Sequence, residues 1–189
     1  MSETEHFPVR PGVHLACLRR RGAPGRTGFL WLGGFNSDMT GSKAERLDGL
    51  ARDTGRACLR FDYSGHGQSQ GRFEDGTISL WLDEAAYVFT ELSDGPMVVV
   101  GSSMGGYLAL LLLRRLARDD PAAAARLRGL LLIAPAADMT QALLWAEADE
   151  TARAAIMENG QWLRPSQYGE PYPITRKLIE DGRRHLILG

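Results

Sequence analysis

The sequence predicts an α/β chain with a mostly parallel sheet and helices on both faces. Short apolar runs alternate with stretches of helical periodicity, the pattern of strand–helix–strand units rather than of hairpins. One run, "MVVVG" at Met97–Gly101, is continuous and β-branched, as a strand covered on both faces requires. The 189 residues, 44% hydrophobic and 24% charged, suffice for one domain with a sizeable core.

In order, "VHLACL" (Val13–Leu18) and "GFLWLG" (Gly28–Gly33) read as strands joined by the turn-rich "RRRGAPGRT". A helix follows over about Ser42–Thr54, with Ser42 as N-cap and Glu45 three residues on, a capping-box spacing. "ACLRF" (Ala57–Phe61) is the next strand and "DYSGHGQSQG" a glycine-rich loop. "TISLWLDEAAYVFTEL" carries Ile78, Leu82, Ala85, Val88, Phe89 and Leu92 at helical spacing. After the Met97–Gly101 strand, a helix runs from Met104 to near Arg118, and "LRGLLLIA" (Leu127–Ala134) closes the series. Residues 1–138 thus read as the sheet core. Residues 139–189 read as a helical and irregular insertion over the site plus the start of a return to the core, with a strand expected at Ile174–Ile179 and a terminal helix holding His185. The polar "MSETEHFPVRPG" lacks the apolar segment of a signal peptide, and "YLALLLL" is too short to cross a bilayer.

A net charge of −1 gives no reason to expect nucleic acid or an anionic membrane as partner. The basic residues are almost all arginine, and Ala and Gly are many, which suits a GC-rich bacterial genome. Cys17 and Cys58 lie in apolar runs without metal-ligand spacing and read as reduced, buried thiols of a cytoplasmic protein. No metal and no organic cofactor is expected.

Gly101-Ser102-Ser103-Met104-Gly105 fits G-x-S-x-G, centred on Ser103 and set between a strand and a helix. A nucleophilic serine needs that setting. A sharp turn lifts its hydroxyl off the sheet, glycines two residues away remove clashing side chains, and the helix N-terminus favours developing negative charge. The Met104 N–H is placed to donate to an oxyanion, and the Phe35 N–H, after the turn at Gly33-Gly34, is the expected second donor. The simpler alternatives are an ordinary strand–helix turn at Ser103 and a glycine turn at Gly33. His66 precedes the serine, so it reads as a loop histidine rather than the base, and Asp62 as a brace of that loop. Asp138 reads as a helix N-cap before "MTQALL", with a catalytic acid as the alternative. His185 is the only histidine after the serine.

The segments "LACLRR", "GGFNSDMTGSKA", "ACLRFDYSGHGQSQG", "DGPMVVVGSSMGGYLALL", "WLRPSQY" and "RRHLIL" carry a resemblance over nearly the whole chain. The sequence resembles the α/β-hydrolase family of the mitochondrial palmitoyl-protein thioesterase that is also described as mycophenolic acid acyl-glucuronide esterase. "FDYSGHGQS" followed by "VGSSMGG" is its most specific feature. The resemblance implies an α/β-hydrolase fold with Ser103 as nucleophile and Phe35 and Met104 as oxyanion donors. It implies a small-molecule or protein-linked acyl ester or thioester as substrate. The family continues past "HLIL" with a strand, a segment carrying the triad Asp, another strand and a loop carrying the triad His. At about 30 residues per strand–helix unit, roughly two units lie beyond Gly189. The C-terminal strands are therefore expected to be missing, and the chain alone to be a poor hydrolase with an open sheet edge. A compact triad of Ser103, Asp138 and His185 is one alternative. A catalytically incomplete remnant that binds acyl groups or a partner without turnover is another. Leu143, Leu144, Trp145, Ile156, Met157, Trp162 and Leu163 could line an acyl pocket or simply pack on the sheet.

Overall fold

A computed structural model describes residues 3–166 and 170–188. Gln167 and Tyr168 of "WLRPSQY" lie outside the described residues. Six strands, β1 (Thr4–Arg10), β2 (Val13–Arg20), β3 (Gly28–Leu32), β4 (Cys58–Phe61), β5 (Met97–Ser102) and β6 (Leu127–Ile133), form one sheet in the order β1-β2-β4-β3-β5-β6. The β1/β2 and β2/β4 pairs are antiparallel; the β4/β3, β3/β5 and β5/β6 pairs are parallel. Helix α1 (Ser42–Asp53) links β3 to β4, and α2 (Ile78–Glu91) links β4 to β5. Helices α3 (Met104–Asp119) and α4 (Pro121–Arg126) link β5 to β6.

The two-residue period of a strand distributes the core to both faces. Trp31 and Val100 pack with Ala44, Leu47 and Ala51 of α1. Leu30, Leu32, Met97 and Val99 pack on the other face with Trp81, Phe89, Leu108 and Leu112 of α2 and α3. Cys17 and Cys58 are free and buried, and burial pushes both thiols up to about 12. Among the described residues β6 is an edge of the sheet, and its Leu131 is 54% exposed.

Several elements differ from the sequence reading. β1 has no counterpart in it, because an edge strand needs only one covered face. Phe7 and Val9 pack inward, while Glu5 and His6 are exposed and Pro8 is tolerated at the edge. Ser42 is the first helical residue rather than the cap; Gly41 stands before it and no side chain caps the helix. The stretch from 139 to 163 is broken at Asp149. A π-helical turn (Thr140–Trp145) precedes it, and its carboxylate accepts from the Ala152 N–H at 2.7 Å to start α5 (Glu150–Asn159). Gly160 at φ 84° ends α5 and turns the chain into β7 (Gln161–Arg164), which pairs with β8 (Tyr172–Thr175). The strand expected at Ile174–Ile179 stops at Thr175, whose hydroxyl accepts from the Leu178 N–H and starts α6 (Arg176–Gly182). His185 ends a 3-10 turn, Arg183–His185.

The first turn of α3 lies hard against the end of β3. A Cβ on Gly105 would collide with the Leu32 and Gly33 carbonyl oxygens, and one on Gly101 with the Gly105 carbonyl. Gly49, inside α1, faces open space. Gly105→Ala should therefore destabilise the fold by about 1–3 kcal/mol. Gly49→Ala should stabilise it by about 0.5–1 kcal/mol through helix propensity. Urea unfolding of the two variants checks the opposite signs.

Candidate functional site

Consecutive parallel strands depart in opposite directions from β3, so a crevice opens at the carboxyl ends of β3 and β5. The β5–α3 turn stands there. Ser103 has φ 54° and ψ −118°, a conformation that a non-glycine residue adopts only when its surroundings impose it. Its N–H donates to the Ile133 carbonyl (3.0 Å). Its carbonyl accepts from the Gly106 (3.0 Å), Tyr107 (3.2 Å) and Ala136 (3.0 Å) N–H groups. The serine occupies the cap position of α3, yet its side chain makes no capping bond and the residue is exposed. Among the described residues nothing bonds its hydroxyl. Ser102 is the last residue of β5, in register with Ile133 and half-buried.

The loop after β3 runs beside this turn: a Cβ on Gly34 would stand 3.5 Å from that of Ser103. Three bonds shape the loop. The Ser37 hydroxyl donates to the Gly34 carbonyl (2.7 Å), the Asn36 N–H to His66 Nε2 (3.2 Å), and the Met39 N–H to Asp62 Oδ1 (2.6 Å). Among the described residues neither Phe35 nor Met104 donates its N–H to another group; for Met104, the first residue of α3, this follows from helix geometry. The Phe35 ring stands 5.0 Å from Phe73, 5.8 Å from Trp81 and 5.7 Å from Tyr172, centroid to centroid. A cavity of about 630 Å³ borders Phe35 and Asn36, walled by Phe73, Tyr172 and Pro173 with Ser166 and Glu170 at its polar side.

The glycine-rich loop after β4 supports that one. Asp62 Oδ2 accepts from the Gln68 N–H at 2.8 Å, and a Cβ on Gly67, at φ 46°, would strike the same carboxylate. Burial raises the Asp62 carboxyl while the Gln68 and Met39 N–H groups oppose the rise. The buried Glu84 accepts from the Ser64 N–H (2.9 Å) and pairs with Arg10 (2.7 Å). His66 is 4% exposed and surrounded by the Tyr63, Phe73 and Trp81 rings. Because its Nε2 accepts a main-chain N–H, its proton sits on Nδ1, which donates to the Ser64 carbonyl at 3.2 Å. Burial pushes the imidazole down to about 4, against the smaller opposing effect of the Ser64 carbonyl.

The other candidates are brought elsewhere. Asp138, at φ 54° and buried, accepts from the Ile187 (2.9 Å) and Leu188 (3.0 Å) N–H groups, so its carboxylate clamps a distant segment instead of capping the helix that follows it. His185 Nε2 lies 2.7 Å from the Ser79 hydroxyl and 3.8 Å from Asp181, and its carbonyl accepts from Tyr107 at 2.6 Å. Burial lowers the His185 imidazole, with Asp181 opposing. Neither Asp138 nor His185 bonds Ser103 or the other's side chain. His14 is held by Gln70 at 2.9 Å, and His6 lies on exposed β1. Of the apolar residues after 139, Leu144 and Ile156 join the core with Trp145 and Trp162 against it, while Leu143, Met157 and Leu163 are exposed. The cavity walls come instead from Phe73, Tyr172 and Pro173, which sequence reasoning did not single out. No periodicity marks them, because they converge from a 3-10 turn (Phe73–Asp75) and from β8. Among the described residues no group of three or more His, Cys, Asp or Glu is arranged to hold a metal, and no helix is long and apolar enough to cross a membrane.

The His66 proton gives the site a measurable signature. The unfolded imidazole takes up a proton near 6.5 and the folded one only near 4, so His66 contributes stability above the unfolded value that is lost as the pH falls between the two. From about pH 7 to about pH 4.5 the parent should lose on the order of 1–3 kcal/mol more stability than His66→Gln. Urea titrations at both pH values check it.

The alpha/beta hydrolase family model matches residues 22–186. Palmitoyl-protein thioesterase ABHD10, mitochondrial, of Pongo abelii is 34% identical over 163 residues, 85% of this chain and 51% of that protein. The Homo sapiens protein of that name is 32% identical over the same shares. This chain spans about half the length of these curated relatives. A crystal structure from Agrobacterium vitis S4 superposes with a TM-score of 0.90 at 42% identity, covering 99% of this chain and 73% of that one. Alpha/beta hydrolase domain-containing protein 10 from mouse superposes at 0.80 with 28% identity, covering 99% and 72%. With its strand order, its serine turn and these matches, the chain belongs to the alpha/beta hydrolase family.

Proposed function

We propose that the protein is a serine hydrolase that cleaves carboxylic esters or thioesters through an acyl-Ser103 intermediate. The observation that carries the reading is the strained, solvent-facing Ser103 with an unengaged hydroxyl, beside a loop whose Phe35 N–H is unspent. Ser103 Oγ attacks the acyl carbonyl and loses its proton to a general base. The carbonyl oxygen becomes an oxyanion that accepts from the Phe35 and Met104 N–H groups. Collapse expels the alcohol or thiol, which takes up that proton, and leaves the acyl group on Ser103. Water, deprotonated by the same base, then releases the acid and restores the serine. The cavity beside Phe35, with aromatic and proline walls and a polar side at Asn36, Ser166 and Glu170, offers room for the acyl or alcohol portion of a substrate that is itself part apolar and part polar. The relatives named as palmitoyl-protein thioesterases favour a long-chain thioester.

None of the four histidines bonds Ser103, so these 189 residues place no histidine base beside the proposed nucleophile. That observation also favours a second reading, in which this chain alone binds acyl groups with little turnover. A fluorophosphonate probe and a p-nitrophenyl ester test both. In the protein with its base in place, Ser103→Ala should abolish labelling and cut turnover by about three orders of magnitude or more, while Ser102→Ala costs little. The 189-residue chain alone should retain at most the roughly 10³–10⁴-fold over water that survives triad loss in other serine hydrolases. His185→Ala should leave that residue of activity unchanged. Turnover that vanishes with His185, or survives the loss of Ser103, overturns the assignment.

A further inference from the structure

Two adjacent peptide planes set the direction of the proposed oxyanion donor at Phe35. The C=O and N–H of one trans peptide point in opposite directions. The Ser37 hydroxyl holds the Gly34 carbonyl at 2.7 Å and so turns the Phe35 N–H away from Ser37. The next plane carries the Asn36 N–H, and its acceptor is His66 Nε2 at 3.2 Å. Asn36 itself sits at φ 53°, a left-handed conformation that asparagine adopts more readily than most residues but that the surroundings must still hold. Without an acceptor at His66 the Asn36 N–H would be left near a wall of aromatic rings, and the plane would be free to rotate.

We propose that His66 is a positioning residue: its neutral imidazole accepts the Asn36 N–H and so locks the loop that presents the Phe35 N–H to Ser103. The assignment rests on Ser103 and Phe35 having the roles proposed above. It gives a buried histidine that is neither base nor metal ligand a specific duty. The imidazole is clamped from both sides, since the Nδ1–H donates to the Ser64 carbonyl and the Nε2 lone pair is left facing Asn36. Ser64 is fixed in turn by the Glu84 carboxylate on its N–H and by the Trp81 indole on its carbonyl (3.3 Å). The chain of contacts therefore runs from α2 through the glycine-rich loop to the loop beside the serine.

Ring contacts make His66 a packing residue as well, so the test must separate packing from hydrogen bonding. Glutamine can offer a side-chain carbonyl where Nε2 stands; leucine fills space without an acceptor. Nitrogen-15 spectra of the 189-residue chain should show the proton on Nδ1 and a bare Nε2, and amide exchange at Asn36 should be slow in the parent and in His66→Gln but fast in His66→Leu. In the protein with its base in place, the rate at which an alkyl fluorophosphonate labels Ser103, followed by mass spectrometry, should fall by about 10²-fold in His66→Leu, the size of losing one oxyanion donor. His66→Gln should recover labelling to within about tenfold of the parent. A proton on Nε2, or equal losses in the glutamine and leucine variants, overturns the proposal. If Ser103→Ala is labelled as fast as the parent, the serine assignment fails instead, and the tautomer and exchange measurements still decide whether His66 holds the loop.

Discussion

The structure depends on one close approach, that of the first turn of α3 to the end of β3. The backbone of Gly105 fills the space that a side chain would need against the Leu32 and Gly33 carbonyls, and Gly101 meets Gly105 in the same way. The helix can therefore begin immediately after the strand, and Ser103 has to turn through a positive φ to make the connection. Four main-chain hydrogen bonds, to Ile133, Gly106, Tyr107 and Ala136, over-determine that turn, so its strain is carried by the end of β6, the turn that follows it and the helix. The same approach brings Gly34 to within contact of the serine and sets where the loop after β3 must run.

Around this point the polar interior is organised as support. Asp62, His66 and Glu84 are buried at 2%, 4% and 2% exposure, and each accepts main-chain N–H groups of loops next to the crevice. A buried carboxylate or imidazole left without partners costs several times what a satisfied one contributes. These three are therefore poor places for change, although none need touch a substrate. The loops beside the crevice are thus held both by these polar bonds and by buried apolar groups, Met39 and Tyr63 among them.

The core and the serine turn were legible in the sequence because both rest on local signals. "MVVVG" is apolar throughout since both sheet faces are covered, and G-x-S-x-G between a strand and a helix specifies a backbone geometry on its own. The element boundaries after Asp138 were not legible. Asp149 and Thr175 start helices by capping, and caps override the apolar periodicity that suggested one long helix and a strand. β1 was hidden because an edge strand covered on one face shows only Phe7 and Val9 as apolar markers. The duties of Asp138, His66 and His185 were beyond sequence reading for a different reason. Their partners lie 49, 30 and 106 positions away, and nothing in the local composition encodes them.

The two thiols have a practical bearing on the chemistry of the site. Cys17 and Cys58 are sealed under β-sheet packing, and burial pushes both thiols up to about 12. Thiolate, the form that reacts with maleimides, disulfides and peroxides, is thus almost absent from the folded chain at neutral pH. The protein offers a silent background for sulfur chemistry. A cysteine installed in place of the solvent-facing serine would be its one accessible thiol among the described residues. Its reactivity would report directly on the electrostatic environment at the head of α3, without a substrate or a catalytic cycle.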